Sequence, residues 1–189
     1  MENSVVLKAR QLMRRQTRKN GAPAWLLTEL AVAKGSQLAK KYKVDGNLVQ
    51  TALYLAHTVF DQKIGGKIQA NHYHLSAKFV RPYLIKWQVS DNFQEIIINA
   101  ILAHHNKILA KSLAAEIIKN AECFKFLTLE GCLILLHEMG RRGFPFDYSV
   151  NYVIKKMNDK NKLLTLKDCQ VEAKKNIKII LAVFECLKP

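Results

Sequence analysis

Of the six histidines in this 189-residue chain, His57, His72, His74, His104 and His105 fall within one stretch of apolar, helix-forming sequence. A carboxylate follows in Asn120-Ala121-Glu122, set between Ile117-Ile118 and Cys123-Phe124. Imidazole nitrogen is a common ligand for zinc, iron and nickel, and carboxylate oxygen suits harder divalent ions. A mixed histidine and acid set therefore predicts a buried metal centre of the hydrolytic kind. Taken singly, each histidine has a plainer reading, as a core side chain bonded to a carbonyl or as an exposed loop residue. Glu122 is harder to explain that way, because an acid with apolar neighbours on both sides needs a partner. His104 and His105 are adjacent, so on a continuous helix they diverge by about 100° and one of the two is expected to face the centre.

The elements that must position these groups read as helices throughout. Gly21-Ala22-Pro23 ends a first segment, and Trp25, Leu26, Leu30, Ala33 and Leu38 then predict a helix from about Ala24 to Tyr42. Asp45-Gly46-Asn47 reads as a turn, after which Leu48 to Ala56 is apolar nearly all round, the pattern of a helix buried on several sides and ending at His57. Residues Gln62 to Ala70, with Gly65-Gly66, read as a surface loop, as do Asn106 to Lys111. Further helices are expected over Leu75 to Trp87, Ser90 to His105, Leu113 to Lys125, Leu129 to Arg141 and from Pro145 or Asp147 to about Asn158. Ser90, Ser112 and Thr128 are the expected N-caps, and Thr165 with Asp168 resembles a capping box for a last helix. No strand pattern is present, so the expected class is all-α, a single compact helical domain over 21–189 preceded by a basic N-terminal helix or arm over 1–20.

Composition narrows the setting. With 49% apolar and 8% aromatic residues the chain has material for a core. No apolar run is long enough to span a bilayer, and Met1-Glu2-Asn3 does not open a secretion signal, so the expected address is the cytoplasm and no membrane partner is expected. Cys123, Cys132, Cys169 and Cys186 form no Cys-x-x-Cys pair and read as small reduced core residues. His137, in a second apolar run, reads as structural. The 30 Lys+Arg against 15 Asp+Glu give a net charge of +15, a field that collects anions such as phosphate-containing ligands. Lys8, Arg10, Arg14, Arg15, Arg18 and Lys19 concentrate that charge in residues 8–19, where nucleic-acid backbone contact is one reading and a solvated helix the other.

The order and context of the histidine clusters resemble the HD-domain superfamily of metal-dependent phosphohydrolases. The family's His-Asp helix looks like Ala52-Leu53-Tyr54-Leu55-Ala56-His57-Thr58, and its next histidine element like His72-Tyr73-His74-Leu75-Ser76-Ala77. Its helix-borne histidine pair looks like Ala100-Ile101-Leu102-Ala103-His104-His105, and its terminal Asp-Ala-Asp like Asn120-Ala121-Glu122. The resemblance spans about Trp25 to Phe126 and implies an all-helical fold holding one or two divalent ions and hydrolysing phosphate esters, often nucleotides. Thr58 stands where the family has aspartate, Glu122 replaces the terminal aspartate, and Glu29 is the nearest acid to the family's first histidine.

Two accounts follow. In one, the site is rebuilt: His57, His72, His104, His105 and Glu122 hold a divalent ion (manganese, iron, nickel, cobalt, zinc or magnesium), and Asp61 or Glu29 completes the shell or accepts a proton. Lys63, Lys67 and Lys107 then clamp an anionic phosphate-containing substrate, a nucleotide or other phosphate ester. In the other, the histidines form a hydrogen-bonded polar core with Glu122 paired to a histidinium, and the domain binds nucleic acid or nucleotide through its basic surface without catalysis. A purely structural role would instead show as an oligomer using apolar helix faces.

Overall fold

A computed structural model describes residues 1–60, 71–105 and 108–186. Among these, nine helices follow one another: α1 (Asn3–Asn20), α2 (Trp25–Tyr42), α3 (Gly46–Leu55), α4 (His72–Lys86), α5 (Asp91–Ala103), α6 (Leu113–Phe124), α7 (Leu129–Arg141), α8 (Phe146–Asn161) and α9 (Lys167–Glu185). No strand occurs among the described residues, and the chain is all-α as its periodicity predicts. All nine helices contribute to one core, and none is long and apolar enough to cross a membrane.

Two helices form the centre of the packing. α3 buries Leu48, Val49, Thr51, Ala52, Leu53, Tyr54 and Leu55 and touches α1, α2, α5 and α6. α6 is buried from Ala114 through Phe124 except at Glu116 and touches α2, α3, α5, α8 and α9. Both are packed against by other helices on several sides, and they carry His57 and Glu122 to the interior. α2 lies close on α3 at Gly35, where a Cβ would come within 2.3 Å of Leu53 Cδ1.

Side-chain caps fix where the central helices begin. The Asp45 carboxylate, in the segment read as a turn, accepts from the backbone N–H of Asn47 at 2.8 Å and Leu48 at 3.1 Å. Ser112 accepts from Ala115 N at 3.2 Å to start α6, and Thr128 accepts from Gly131 N at 3.1 Å to start α7. Ser90 occupies the N-cap position of α5 without a side-chain cap bond. The start of α9 departs from the capping-box reading. Its N-cap position is Leu166, and the Thr165 hydroxyl instead accepts from Asn120 Nδ2 at 2.8 Å. Asn120 Oδ1 in turn accepts from the backbone N–H of Thr165 and Leu166, each at 3.0 Å, so this fully buried amide latches α6 to the entry of α9.

The basic first segment is a helix whose Val5, Val6, Ala9, Leu12 and Met13 enter the common core, while Lys8, Arg10, Arg14, Arg15, Arg18 and Lys19 stay exposed. Cys123, Cys132 and Cys169 are buried thiols as expected; Cys186 is an exposed free thiol. His137 is exposed on α7.

Candidate metal centre and its cationic pocket

Helix ends bring the histidines together. His57 follows the last turn of α3, His72 opens α4, and His104 caps the C-terminus of α5. One ring nitrogen from each of these three buried histidines lies within 4.8 Å of the others. Ring centroids stand 5.2 Å apart for His57 and His72, 4.8 Å for His57 and His104, and 5.6 Å for His72 and His104. Phe60 closes one side, its ring edge-on to His57 at 5.8 Å and to His72 at 5.3 Å.

Hydrogen bonds fix which nitrogens keep a free lone pair. His104 Nδ1–H donates to the Ile101 carbonyl at 2.6 Å, leaving the lone pair on Nε2. His57 Nε2–H donates to Glu122 Oε2 at 2.7 Å, leaving the lone pair on Nδ1. Both remaining nitrogens, His57 Nδ1 and His104 Nε2, are buried without a hydrogen-bond partner, as is Glu122 Oε1. A metal-binding imidazole has this arrangement, with one nitrogen donating to a carbonyl or carboxylate and the other presenting its lone pair. Buried nitrogens left unmatched in an apolar core are costly, so the donor set fits a cation.

His105 also turns inward, contrary to the expectation that only one of the adjacent pair would. α5 stops at Ala103, so the divergence of a continuous helix does not apply. His105 Nε2 and His72 Nε2 share a hydrogen bond of 2.9 Å. His74 is exposed and leans on Tyr73 at 4.5 Å.

Glu122 stands beside the three-histidine group. It accepts from His57 and, through the same Oε2, from Lys125 Nζ at 2.6 Å, with Glu122 and Lys125 only 2% and 3% exposed. Burial alone raises its pKa, but the Lys125 ammonium and His57 together hold the carboxyl well below the usual range. Glu122 is therefore an anion already compensated by an internal cation. Burial likewise pushes His57 and His104 down, and His105 to about 2, so these rings are neutral. Thr58 is fully buried and its hydroxyl donates to the Leu55 carbonyl at 3.1 Å, which ties it to its own helix end.

The cluster opens into a small cavity of about 90 Å³, lined among others by His57, His72, His105, Glu122, Phe126 and three lysines, Lys125, Lys156 and Lys160. Burial and the neighbouring Lys160 and Lys125 lower the Lys156 pKa to about 8. None of these three lysines is among the cations expected from the sequence to clamp the substrate. A signal existed: Lys160 follows Val150, Val153 and Met157 on the buried face of α8.

Glu29 lies elsewhere, accepting from the Tyr54 hydroxyl at 3.3 Å and pairing with Arg10 at 3.4 Å; it does not line this cavity. Asp61, Lys63, Lys67 and Lys107 lie outside the described residues.

No family model matches the chain, and no curated protein matches it significantly. Solved structures match it along nearly its full length. Bacillus subtilis YpgQ in complex with ADP superposes with a TM-score of 0.70 at 15% identity, covering 95% of each chain. A Lactobacillus plantarum protein gives 0.72 at 13% identity over 98% of this chain and 96% of that one. An HD-superfamily hydrolase from Bacillus thuringiensis gives 0.71 at 14% identity over 99% of this chain and 96% of that one. At such identities the likeness concerns backbone architecture, and the chain has the fold of the HD-domain superfamily.

Proposed function

We propose that this protein is a metal-dependent phosphohydrolase whose HD-type centre has been rebuilt around histidine, acting on a nucleotide or related phosphate ester. The observation that carries the reading is the pair of orphaned, buried nitrogens, His57 Nδ1 and His104 Nε2, on two of the three histidines that cluster beside a lysine-lined cavity. His57, His72 and His104 would hold a divalent ion, which when bound supplies Lewis-acid polarisation of a phosphoryl oxygen and a hydroxide-like nucleophile from water near neutral pH.

The chain's own residues set the terms for the substrate. Three neutral imidazoles add no negative charge, and the single nearby carboxylate, Glu122, is spent on Lys125. The site thus keeps its full positive potential, reinforced by Lys156 and Lys160, and favours an anionic phosphoryl group. Glu122 fixes the His57 tautomer and so acts as a positioning residue. An all-imidazole shell suits zinc, nickel, cobalt or iron better than manganese or magnesium. That YpgQ was crystallised with ADP makes a nucleoside diphosphate a sensible first ligand.

The test is hydrolysis of nucleoside mono-, di- and triphosphates, followed as phosphate or pyrophosphate release, and of cyclic nucleotides, followed as ring opening to the monophosphate, in the presence of manganese, nickel, cobalt or iron. Turnover by the wild type, reduced at least a hundredfold in His57→Ala and His104→Ala, supports the reading. Nucleotide binding without turnover under every metal would favour the second reading, a non-catalytic ligand-binding domain. The Glu122–Lys125 pairing and the tied-back Thr58 are the features that speak for it.

A further inference from the structure

A second concavity, about 400 Å³, runs along α8 and is lined by Tyr148, Asn151, Tyr152, Lys155, Lys156 and Asp159. These positions recur at three- and four-residue steps and so share one face of the helix, opposite the buried Val150, Val153 and Met157. Aromatic rings ascend that face in parallel. Phe144 stacks on Tyr148 at 5.4 Å with 20° between planes, and Tyr148 on Tyr152 at 6.5 Å with 21°. Phe144 and Tyr148 are 42% and 52% exposed, which is unusual for rings that have an adjacent core to enter.

Lys156 joins this groove to the histidine cavity, since it lines both. Its ammonium also stands 5.5 Å over the Phe126 ring, at the cavity wall. The two spaces differ in what they can hold. Small-molecule sites run from about 300 to 1,000 Å³, so the 90 Å³ cavity admits a phosphoryl group while the 400 Å³ groove admits a nucleoside. A nucleoside phosphate with its phosphate among Lys125, Lys156 and Lys160 must therefore place its base outside the cavity, and the groove begins at the shared lysine.

We propose that Tyr148 and Tyr152 form a nucleobase-stacking subsite, with Lys156 carrying the phosphate chain from that groove into the histidine cavity. The proposal deepens the phosphohydrolase reading and rests on its phosphate pocket. Parallel rings accept any base by its π-face, so the subsite selects nucleotides over simple phosphates without choosing among bases. Asn151 and Asp159 border the same face and offer hydrogen bonds to sugar or base edges.

Calorimetric titration of the metal-free full chain with α,β-methylene-ADP and with methylenediphosphonate tests this without turnover, because the proposed hydrolysis needs bound metal and only one of the two probes carries a base. The nucleotide analogue is expected to bind the wild type at least tenfold more tightly. Tyr148→Ala and Tyr152→Ala should each weaken the analogue by about tenfold and leave methylenediphosphonate unchanged, while Tyr152→Phe keeps both affinities. Equal binding of the two probes by the wild type, or tyrosine variants that bind the analogue normally, would overturn the subsite and leave the phosphate pocket standing. An equal loss of both probes in the alanine variants would also overturn it, by showing that the rings act on the fold. Binding of neither probe by the wild type would refute the phosphate pocket and the subsite with it.

Discussion

At the scale of single residues, the structure turns on Glu122. An isolated carboxylate at 2% exposure would be severely penalised, yet this one accepts from both His57 and Lys125. Breaking a buried pair by removing one partner leaves the other charge uncompensated. Glu122→Gln is accordingly expected to lower unfolding free energy by roughly 3–5 kcal/mol in urea denaturation. Adding Lys125→Met to it should restore much of that loss, and a double variant no more stable than the single would contradict the pairing. The histidines give the metal-free protein a characteristic pH response. His57, His104 and His105 have folded-state pKa values lowered by burial, against about 6.5 in an unfolded chain. Below pH 6.5 the unfolded state therefore takes up protons that the folded state refuses. Stability present above that pH is lost as pH falls, by up to about 1.4 kcal/mol per pH unit for each ring. The depressed Glu122 adds to the loss below roughly pH 4.3. Denaturation midpoints should drop steeply from pH 7 to pH 5; a flat profile over that interval would show that the rings titrate normally.

At the scale of elements, the ends of helices do the positioning. His57, His72 and His104 sit at the ends of α3, α4 and α5, and Lys125 caps α6. The turn from α6 to α7 is compact. A Cβ on Gly131 would lie 1.7 Å from the Lys125 carbonyl oxygen, a backbone atom that cannot swing aside. In most helices Gly→Ala is stabilising; here Gly131→Ala must displace the residue that compensates Glu122. It should cost roughly 1–3 kcal/mol, the usual range for overpacking, and thermal denaturation would show it. An unchanged or raised midpoint would mean that the turn yields. Element existence was legible from the sequence because hydrophobic spacing decides it, and the all-round apolar character of Leu48 to Leu55 correctly placed α3 inside. The end of α5 was less legible. Nothing in Ala100-Ile101-Leu102-Ala103-His104-His105 breaks a helix, so that both histidines leave it, His104 to join the histidine cluster and His105 to bond His72, is a tertiary effect. In the α1 segment the charge is conspicuous, but Val5, Val6, Ala9, Leu12 and Met13 form the buried face that joins it to the core.

At the scale of the whole molecule, the order of histidine clusters along the chain carried the most information, because order and spacing do not depend on any one residue type. It led to a fold that three solved structures share at 13–15% identity. Charge was legible only in total. The net +15 predicts a preference for anions, but which lysines line the cavity depends on α6 and α8 meeting, and no local pattern shows that. Glu122 was read as needing a cation; Lys125, three residues on, supplies it across a helix end where lysine is ordinarily solvent-facing.

The most direct measurement is metal content by elemental analysis, after equilibration with excess zinc, manganese, nickel or cobalt and removal of unbound ion. Bound ion at a hundred times its dissociation constant would add about 2.7 kcal/mol to stability, so a rise in melting temperature should accompany uptake. The account predicts close to one ion per chain in the wild type and almost none in His57→Ala or His104→Ala. A wild type that takes up no ion, or variants that retain as much as the wild type, would contradict it.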